Sequence, residues 1–304
     1  MENYVNPIQN SKKNFHSDFF PFTSCSTISN QKKCIRKKSL RNQCFLFYFE
    51  WEGKYVNIKN VQTNDLLKIK MYQSLYPVSV EIHQFKIYVC GGYFPKAGLL
   101  NNCAIFNLTN KELDLSSRLC ECKCAVSLVS TSEFIFCIGG YNEDNNSNYC
   151  EYFDNLQAKW KITSPLNHED RGITVSFDDA RYIYTFGGSD NNIFERLDVT
   201  SLYNKWENLN VNLSTKRNFG FANFLNDLEF LVCGGDNSED IYFNIFSHKS
   251  LKLIRSKKLF NNYLYFSSKP LNWKDKLWII SPIKNILIRI NIISLEFYEE
   301  KLNF

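Results

Sequence analysis

The sequence predicts an all-β chain in which one strand unit is repeated along the length. Four glycine pairs carry this prediction, because they recur at intervals of 48, 48 and 47 residues: Gly91-Gly92, Gly139-Gly140, Gly187-Gly188 and Gly234-Gly235. Each pair ends a run rich in aromatic and β-branched residues, which favour strands. With 44% hydrophobic and 16% aromatic residues, the 304-residue chain can bury a large core.

The repeat continues beyond the glycines. In the two best-preserved copies a second strand ends at Asp154 or Asp198, and Trp160 or Trp206 follows a few residues later. This order resembles the kelch family, whose repeat is a strand ending in Gly-Gly, a Tyr-Asp-type pair, a Trp and often a downstream Arg. The resemblance implies four-stranded blades of a β-propeller, and it extends over roughly residues 43–304.

Extending the period in both directions adds two copies without the glycine pair. The last begins at the apolar run 276–280, and the first begins near Cys44–Phe49. We therefore predict a six-bladed kelch-type β-propeller at 43–304, preceded by a short, basic, flexible leader at 1–42. Five blades with a degraded N-terminal appendage is the competing count.

The sequence leaves the closure of the ring open. A closed ring has no exposed strand edge, but the first blade shows no evident innermost strand between residues 30 and 42. The segment Phe22–Ile28 has a strand-like composition and could fill that position. An incompletely closed first blade is the alternative.

Charge is concentrated near the N-terminus. Residues 1–44 carry eight Lys and Arg against Glu2 and Asp18, and the rest of the chain is close to neutral. A near-neutral propeller gives no electrostatic case for nucleic-acid binding. The basic run 32–38 indicates either nuclear import and anionic surfaces or a solvated tail. Without an apolar stretch of membrane-spanning length or a signal peptide at Met1–Asn10, we expect a cytoplasmic protein with no membrane partner, or a nuclear one through the basic run.

Eleven cysteines are spread along the chain without a recognised spacing. The odd number and the lack of a CxxC pair argue against a disulfide framework and against a common zinc module. Cys90, Cys137 and Cys233 lie next to the glycine pairs at the ends of inner strands, where buried thiols are inert. We therefore expect no metal and no cofactor.

A second group of cysteines has an unusual spacing. Cys120, Cys122 and Cys124 follow each other at i, i+2 intervals, which places all three on one face of a strand. A metal site would need a fourth ligand and tighter convergence than a single strand provides. The role of this group is left open.

The sequence carries no catalytic motif such as GxSxG, HExxH or a P-loop. Its histidines fall at different points of the repeat: His16, His83, His168 and His248. The carboxylate pair Asp178-Asp179 lies where two strands must turn, so we interpret it as a turn. We expect no enzymatic activity. The alternative is a kelch-fold enzyme, because kelch-type propellers include metal-dependent oxidases, epimerases and cyclases.

A basic residue recurs at the start of three inner strands, as Lys123, Arg171 and Arg217. In kelch proteins that recruit substrates to ubiquitin ligases, arginines at this position bind acidic peptide segments. The resemblance therefore implies a protein-interaction module that acts in substrate recognition or as a scaffold or cytoskeletal adaptor. Its partners are other proteins, and the three basic residues would bind an acidic segment of the partner. The alternative is that these side chains tie neighbouring blades together by hydrogen bonds. The partner and the oligomeric state are left open.

Overall fold

The computed structural model describes residues 45–49, 55–60, 66–70, 79–143, 145–213, 216–234, 241–260, 270–273, 276–281 and 286–301. Every helix or strand assigned within these ranges is a strand, as the sequence predicted. The leader 1–42, the segment Phe22–Ile28, the basic run 32–38 and Gly235 all lie outside the described residues.

The strands form antiparallel sheets in chain order. The first sheet has three strands: β1 (Phe45–Phe49), β2 (Tyr55–Asn60) and β3 (Leu66–Lys70). The next stretch contains β4 (Ser79–His83), β5 (Lys86–Cys90), β6 (Tyr93–Phe94), β7 (Gly98–Leu99), β8 (Cys103–Asn107) and β9 (Leu113–Asp114). Strands β4, β5, β8 and β9 form a four-stranded sheet in that order, and β6 and β7 form a separate hairpin.

Four more four-stranded sheets follow. They consist of β10 (Ser127–Ser130), β11 (Ile135–Ile138), β12 (Cys150–Asp154) and β13 (Lys159–Thr163); β14 (Val175–Phe177), β15 (Tyr182–Phe186), β16 (Ile193–Asp198) and β17 (Glu207–Asn212); β18 (Phe221–Phe224), β19 (Glu229–Cys233), β20 (Ile241–Ser247) and β21 (Leu253–Phe260); and β22 (Leu271–Trp273), β23 (Lys276–Ser281), β24 (Ile286–Asn291) and β25 (Phe297–Lys301).

The sheets are arranged as the blades of a β-propeller. The first strands of successive blades contact one another, β4 with β10, β10 with β14 and β14 with β18. Strand β1 contacts both β4 and β23, so the three-stranded sheet lies between the last blade and the first complete one. The prediction of six blades is therefore corrected to five four-stranded blades. The sixth sheet shows no innermost strand among the described residues.

The repeated Asp or Asn of the sequence caps the hairpin between the third and fourth strands of a blade. Asp154 Oδ1 accepts the backbone N–H groups of Leu156 (2.9 Å) and Gln157 (3.2 Å). Asp198 Oδ1 accepts the N–H of Thr200 in the same way. A short side chain that supplies acceptors to its own turn favours the turn over a continued strand, which explains why this position is kept in successive repeats.

The hydrophobic core lies between neighbouring blades. Tyr88 of the first complete blade makes edge contacts with Phe153 (5.5 Å between ring centroids) and Trp160 (6.4 Å) of the next one. Phe186 and Phe230 meet at 5.1 Å across a later pair of blades. Sheets that bury both faces against neighbours require apolar residues on both faces, which accounts for the aromatic-rich runs before the glycine pairs.

The structure corrects the expectation for Cys90. This residue lies directly opposite Cys103 on the neighbouring strand, with the two Cα atoms 4.1 Å apart, and the two form a disulfide. Cys137 and Cys233 are free and buried as expected, and burial raises the pKa of each thiol to about 12. Those two thiols stay protonated at neutral pH and act as small apolar side chains.

Candidate functional site

The glycine pairs and the loops before the inner strands lie together at one end of the ring. We call this end the Gly-Gly face, made of the described loop residues 91–101, 118–126, 139–143, 145–149, 164–174 and 187–192. Backbone hydrogen bonds join the loops of neighbouring blades: Gly92 N to Lys123 O (3.0 Å), Gly140 N to Asp170 O (3.0 Å) and Arg217 N to Gly188 O (3.2 Å). The basic positions and their neighbours therefore tie blades together through their main chain.

Gly91 shows why these positions require glycine. Its φ is +70°, and a Cβ added there would lie 2.5 Å from the carbonyl oxygen of Lys123 in the next blade. That separation is far below van der Waals contact, and the obstacle is backbone that cannot rotate away. Any side chain at Gly91 would push the two blades apart.

Lys123 is buried in the interior of its blade. Its side chain is 0% exposed, and Nζ lies 3.0 Å from Oε1 of the equally buried Glu151 on β12. Burial alone would lower the pKa of Lys123, but the Glu151 carboxylate beside it raises it, and the net shift is upward. A partner cannot reach this ammonium in the folded blade, and its ion pair joins two segments of one blade. The side chain therefore fits neither the docking interpretation nor a tie between neighbouring blades.

Arg217 is also buried, at 1% exposure, and its Nη1 donates to the carbonyl oxygen of Gly234 (3.1 Å). Burial lowers the pKa of the guanidinium. The residue that corresponds to Glu151 in this blade is Asn244, since both pair with the residue two before the glycine pair. This blade thus keeps the cation and has a neutral amide where the earlier blade has a carboxylate. Like Lys123, Arg217 does not offer its charge to a docking partner.

Arg171 differs from the other two basic residues. Its side chain is half-buried, and its guanidinium lies 5.1 Å from the centroid of the Tyr141 ring, a cation–π distance. Among the described residues, no carboxylate forms an ion pair with this guanidinium. The aromatic ring holds the cation in place without neutralising it. Arg171 is therefore the one predicted docking residue whose charge is available at the surface.

Two carboxylates are bound to the loop that carries Tyr141. Glu121 accepts hydrogen bonds from Asn142 Nδ2 (3.1 Å) and Ser147 Oγ (3.2 Å), and Asp190 accepts one from Asn146 Nδ2. Tyr141 itself is fixed by backbone bridges to its neighbours in the Gly-Gly face. We call this surface the Tyr141 patch; it consists of Glu121, Tyr141, Asn142, Asn146, Arg171 and Asp190.

Asp170 fixes the backbone of two residues of the Tyr141 patch, Arg171 and Asp190. Its buried carboxylate accepts the backbone N–H groups of Arg171 (2.8 Å), Asp190 (3.0 Å) and Asn191 (3.2 Å). Burial raises the pKa of Asp170 in spite of these bonds. The carboxylate fixes the loop that follows Gly188 and the backbone of Arg171 at the same time, so it positions two sides of the patch.

A pair of buried carboxylates, Glu151 and Glu195, was not predicted from the sequence. Glu151 Oε2 accepts the backbone N–H of Cys120 (2.7 Å), and Glu195 binds His168 Nδ1 (2.7 Å) and the N–H of Asn167 (3.1 Å). Each carboxylate fixes the loop that leads into the inner strand of its own blade. Both stand three residues before the capping Asp of their repeat, and that shared position is the signal that could have revealed them.

The cysteine group at 120–124 is not on a strand, which corrects the expectation of a common strand face. Cys120 and Cys122 are exposed in a loop, whereas Cys124 is buried and exchanges backbone hydrogen bonds with Tyr141 (3.0 and 2.8 Å). Burial raises the pKa of Cys120 and of Cys124 to about 11. Those two thiols are protonated at neutral pH and are therefore weak nucleophiles.

The other candidate catalytic groups have structural partners, and two of them meet: His248 Nε2 lies 3.9 Å from Asp178 Oδ2. Asp178 Oδ1 accepts the N–H groups of Ala180, Arg181 and Tyr182. These bonds stabilise a turn at the Asp178-Asp179 pair, in agreement with the interpretation from the sequence. His83 bonds to Ser130 Oγ (2.9 Å) of the next blade, and His248 bonds to Tyr184 Oη (3.0 Å). In the part of the chain that the structure describes, no three His, Cys, Asp or Glu side chains converge as metal ligands.

Comparisons with known proteins define the class of this chain. No known protein family matches the sequence, and no curated protein matches it. Solved structures do match: the one described as "Structure of YjhT" has a TM-score of 0.67 at 14% identity, covering 86% of this chain and 95% of that chain. An identity this low shows the fold alone, and the chain is a β-propeller protein. Within the described ranges, no helix is long and apolar enough to cross a membrane.

Proposed function

We propose that this β-propeller is of the kelch type and acts as a protein-interaction module without catalysis of its own. The observation that carries the proposal is Arg171, a half-buried cation stacked on Tyr141 and not paired with a carboxylate among the described residues. A guanidinium preorganised on an aromatic ring can bind a partner's carboxylate by two parallel hydrogen bonds with little loss of side-chain entropy. A substrate-recognition subunit, a scaffold or a cytoskeletal adaptor could each use such an arginine–carboxylate pair to bind its partner.

The proposed docking surface is narrower than the sequence suggested. Of the three basic positions, Lys123 is neutralised by Glu151 and Arg217 is enclosed, so the proposal rests on Arg171 alone. The surrounding Gly-Gly face adds Tyr93 and Tyr149, each about half exposed. Tyrosine and arginine are among the residues most enriched at the centres of protein interfaces.

An affinity-capture comparison tests the proposal. The full chain and its Arg171→Glu variant are used as baits, with Arg181→Glu as the matched control, because Arg181 lies at the opposite end of the same blade and pairs with Asp198. We expect Arg171→Glu to lose the captured partner at unchanged melting temperature, and the control to keep it. Equal capture by all three baits would contradict docking through Arg171.

Metal analysis of the purified chain separates binding from catalysis. The kelch-fold enzyme is the second class of function that this fold supports, and its oxidases require a resident metal. The described histidines each bind a different partner, which is the observation against a shared metal site. Stoichiometric copper or zinc would favour the enzyme and would overturn the interaction-module proposal. The cytoplasmic location expected from the sequence stays a prediction.

A further inference from the structure

The charges beside Arg171 restrict the kind of carboxylate that can reach it. Glu121 is held by Asn142, the residue after Tyr141, and Asp190 is held by Asn146, which is bridged to the backbone of Tyr141. Each carboxylate is thus fixed by an amide of the loop that carries the Tyr141 ring. The Tyr141 patch therefore contains one cation and two anions, a net charge of −1.

The loops that carry the Tyr141 patch add further negative charge. Glu143 is exposed two residues after Tyr141, and Glu169 is exposed two residues before Arg171. At physiological ionic strength charges interact over about 8 Å, so a ligand anion at Arg171 is within range of its close carboxylate neighbours. A run of acidic residues would meet one attractive charge and several repulsive ones.

We infer that the segment bound at the Tyr141 patch presents a single carboxylate to Arg171 and carries cationic side chains on both flanks. The carboxylate pairs with the guanidinium, and the flanking Lys or Arg side chains pair with Glu121 and Asp190. This arrangement is complementary to the alternating charges of the patch, whereas an acidic run is not. The inference rests on the proposed function and replaces the acidic segment implied by the family resemblance with a segment of alternating charge.

Peptide selection provides the test. Random short peptides displayed on phage are selected on the full chain, and binders that the Arg171→Glu variant also retains are discarded. We expect the remaining sequences to share one Asp or Glu flanked by Lys or Arg. Arg171-dependent peptides with runs of Asp or Glu would overturn this inference and leave the docking site standing. The absence of any Arg171-dependent peptide would overturn the docking site and this inference together.

A second variant tests the flanking charges directly. Glu121→Gln/Asp190→Asn keeps the oxygen acceptors for Asn142 and Asn146 and removes both negative charges. Exposed ion pairs contribute modestly, so we expect the affinity of a selected peptide to fall about 2- to 5-fold for each lost pair, and the loss to shrink at high salt. Unchanged or higher affinity in the variant, measured by fluorescence anisotropy, would overturn the role of Glu121 and Asp190.

Discussion

The buried ion pair of Lys123 and Glu151 allows a direct test of what stabilises one blade of this propeller. In Lys123→Met the Glu151 carboxylate keeps its hydrogen bond from Cys120 N but loses its counter-ion in a site with no solvent exposure. Removing one partner of a buried ion pair costs about 3–5 kcal/mol. At about 2–4 °C per kcal/mol for a chain of comparable size, the melting temperature should fall by roughly 6–20 °C.

The pair can be examined by a double-mutant cycle. Glu151→Gln keeps an acceptor for Cys120 N and removes the charge, so Lys123→Met/Glu151→Gln contains neither buried ion. We expect the double variant to be clearly more stable than the sum of the two single changes predicts, because no isolated charge is left. Urea unfolding of the four chains at neutral pH gives the coupling free energy.

A second pair of a lysine and a carboxylate, Lys161 and Asp154, serves as the control for this cycle. Lys161 and Asp154 lie 2.7 Å apart on the surface of the same blade. Solvent screens exposed pairs, so Lys161→Met should change stability far less than Lys123→Met. If the two lysine substitutions destabilise the chain equally, or if Lys123→Met impairs partner capture at unchanged stability, the structural role of Lys123 inside its blade would be refuted.

Three further predictions concern stability. Burial holds the pKa of His83 below its ordinary value of 6.5. Below pH 6.5 the unfolded chain therefore binds a proton at this residue that the folded chain binds more weakly, so the free energy of unfolding should decrease as pH falls through about 6.5. His83→Gln should flatten this part of the melting temperature–pH curve, and an unchanged slope would contradict the assignment. A peptide map without reductant should show Cys90 linked to Cys103, and replacing both by Ala should cost about 3 kcal/mol in urea unfolding relative to the oxidised chain; free thiols at both positions would rule the bond out. Asp170→Asn keeps one oxygen for Arg171 N and Asp190 N but leaves Asn191 N without an acceptor, so it should cost about 1–3 kcal/mol. Asp170→Ala leaves all three N–H groups unpaired and should cost more; equal effects of the two changes would contradict this role.

The periodic features of the fold could be predicted from the sequence. Gly-Gly pairs such as Gly91-Gly92 mark the ends of second strands, and Asp154 and Trp160 mark the following hairpin, because turns and strand ends depend on residues close in the chain. The number of complete blades could not be predicted, since an innermost strand is defined by its pairing and not by its composition. The Cys90–Cys103 bond was missed for the same reason: it depends on strand register.

The candidate site was predicted only in part. The repeat placed Lys123 and Arg217 at equivalent positions, but Arg171 lies one residue beyond the matching place. Asp170 occupies that place: its carbonyl oxygen accepts Gly140 N as Lys123 O accepts Gly92 N, and it is buried like the other two. The one-residue offset leaves Arg171 against the Tyr141 ring near solvent. These contacts join residues of different strands and loops, so a local pattern does not determine them.

Hydrogen–deuterium exchange of the full chain with a bound partner or selected peptide tests the docking face most directly. We expect slower exchange in the loops 139–149 and 187–192, which carry Tyr141 and Asp190, and unchanged exchange in the hairpin turns 154–159 and 198–205 at the opposite end of the blades. The same peptide should give no protection with the Arg171→Glu variant. Protection confined to those opposite turns, or protection that persists in the variant, would show that partners dock elsewhere on the propeller.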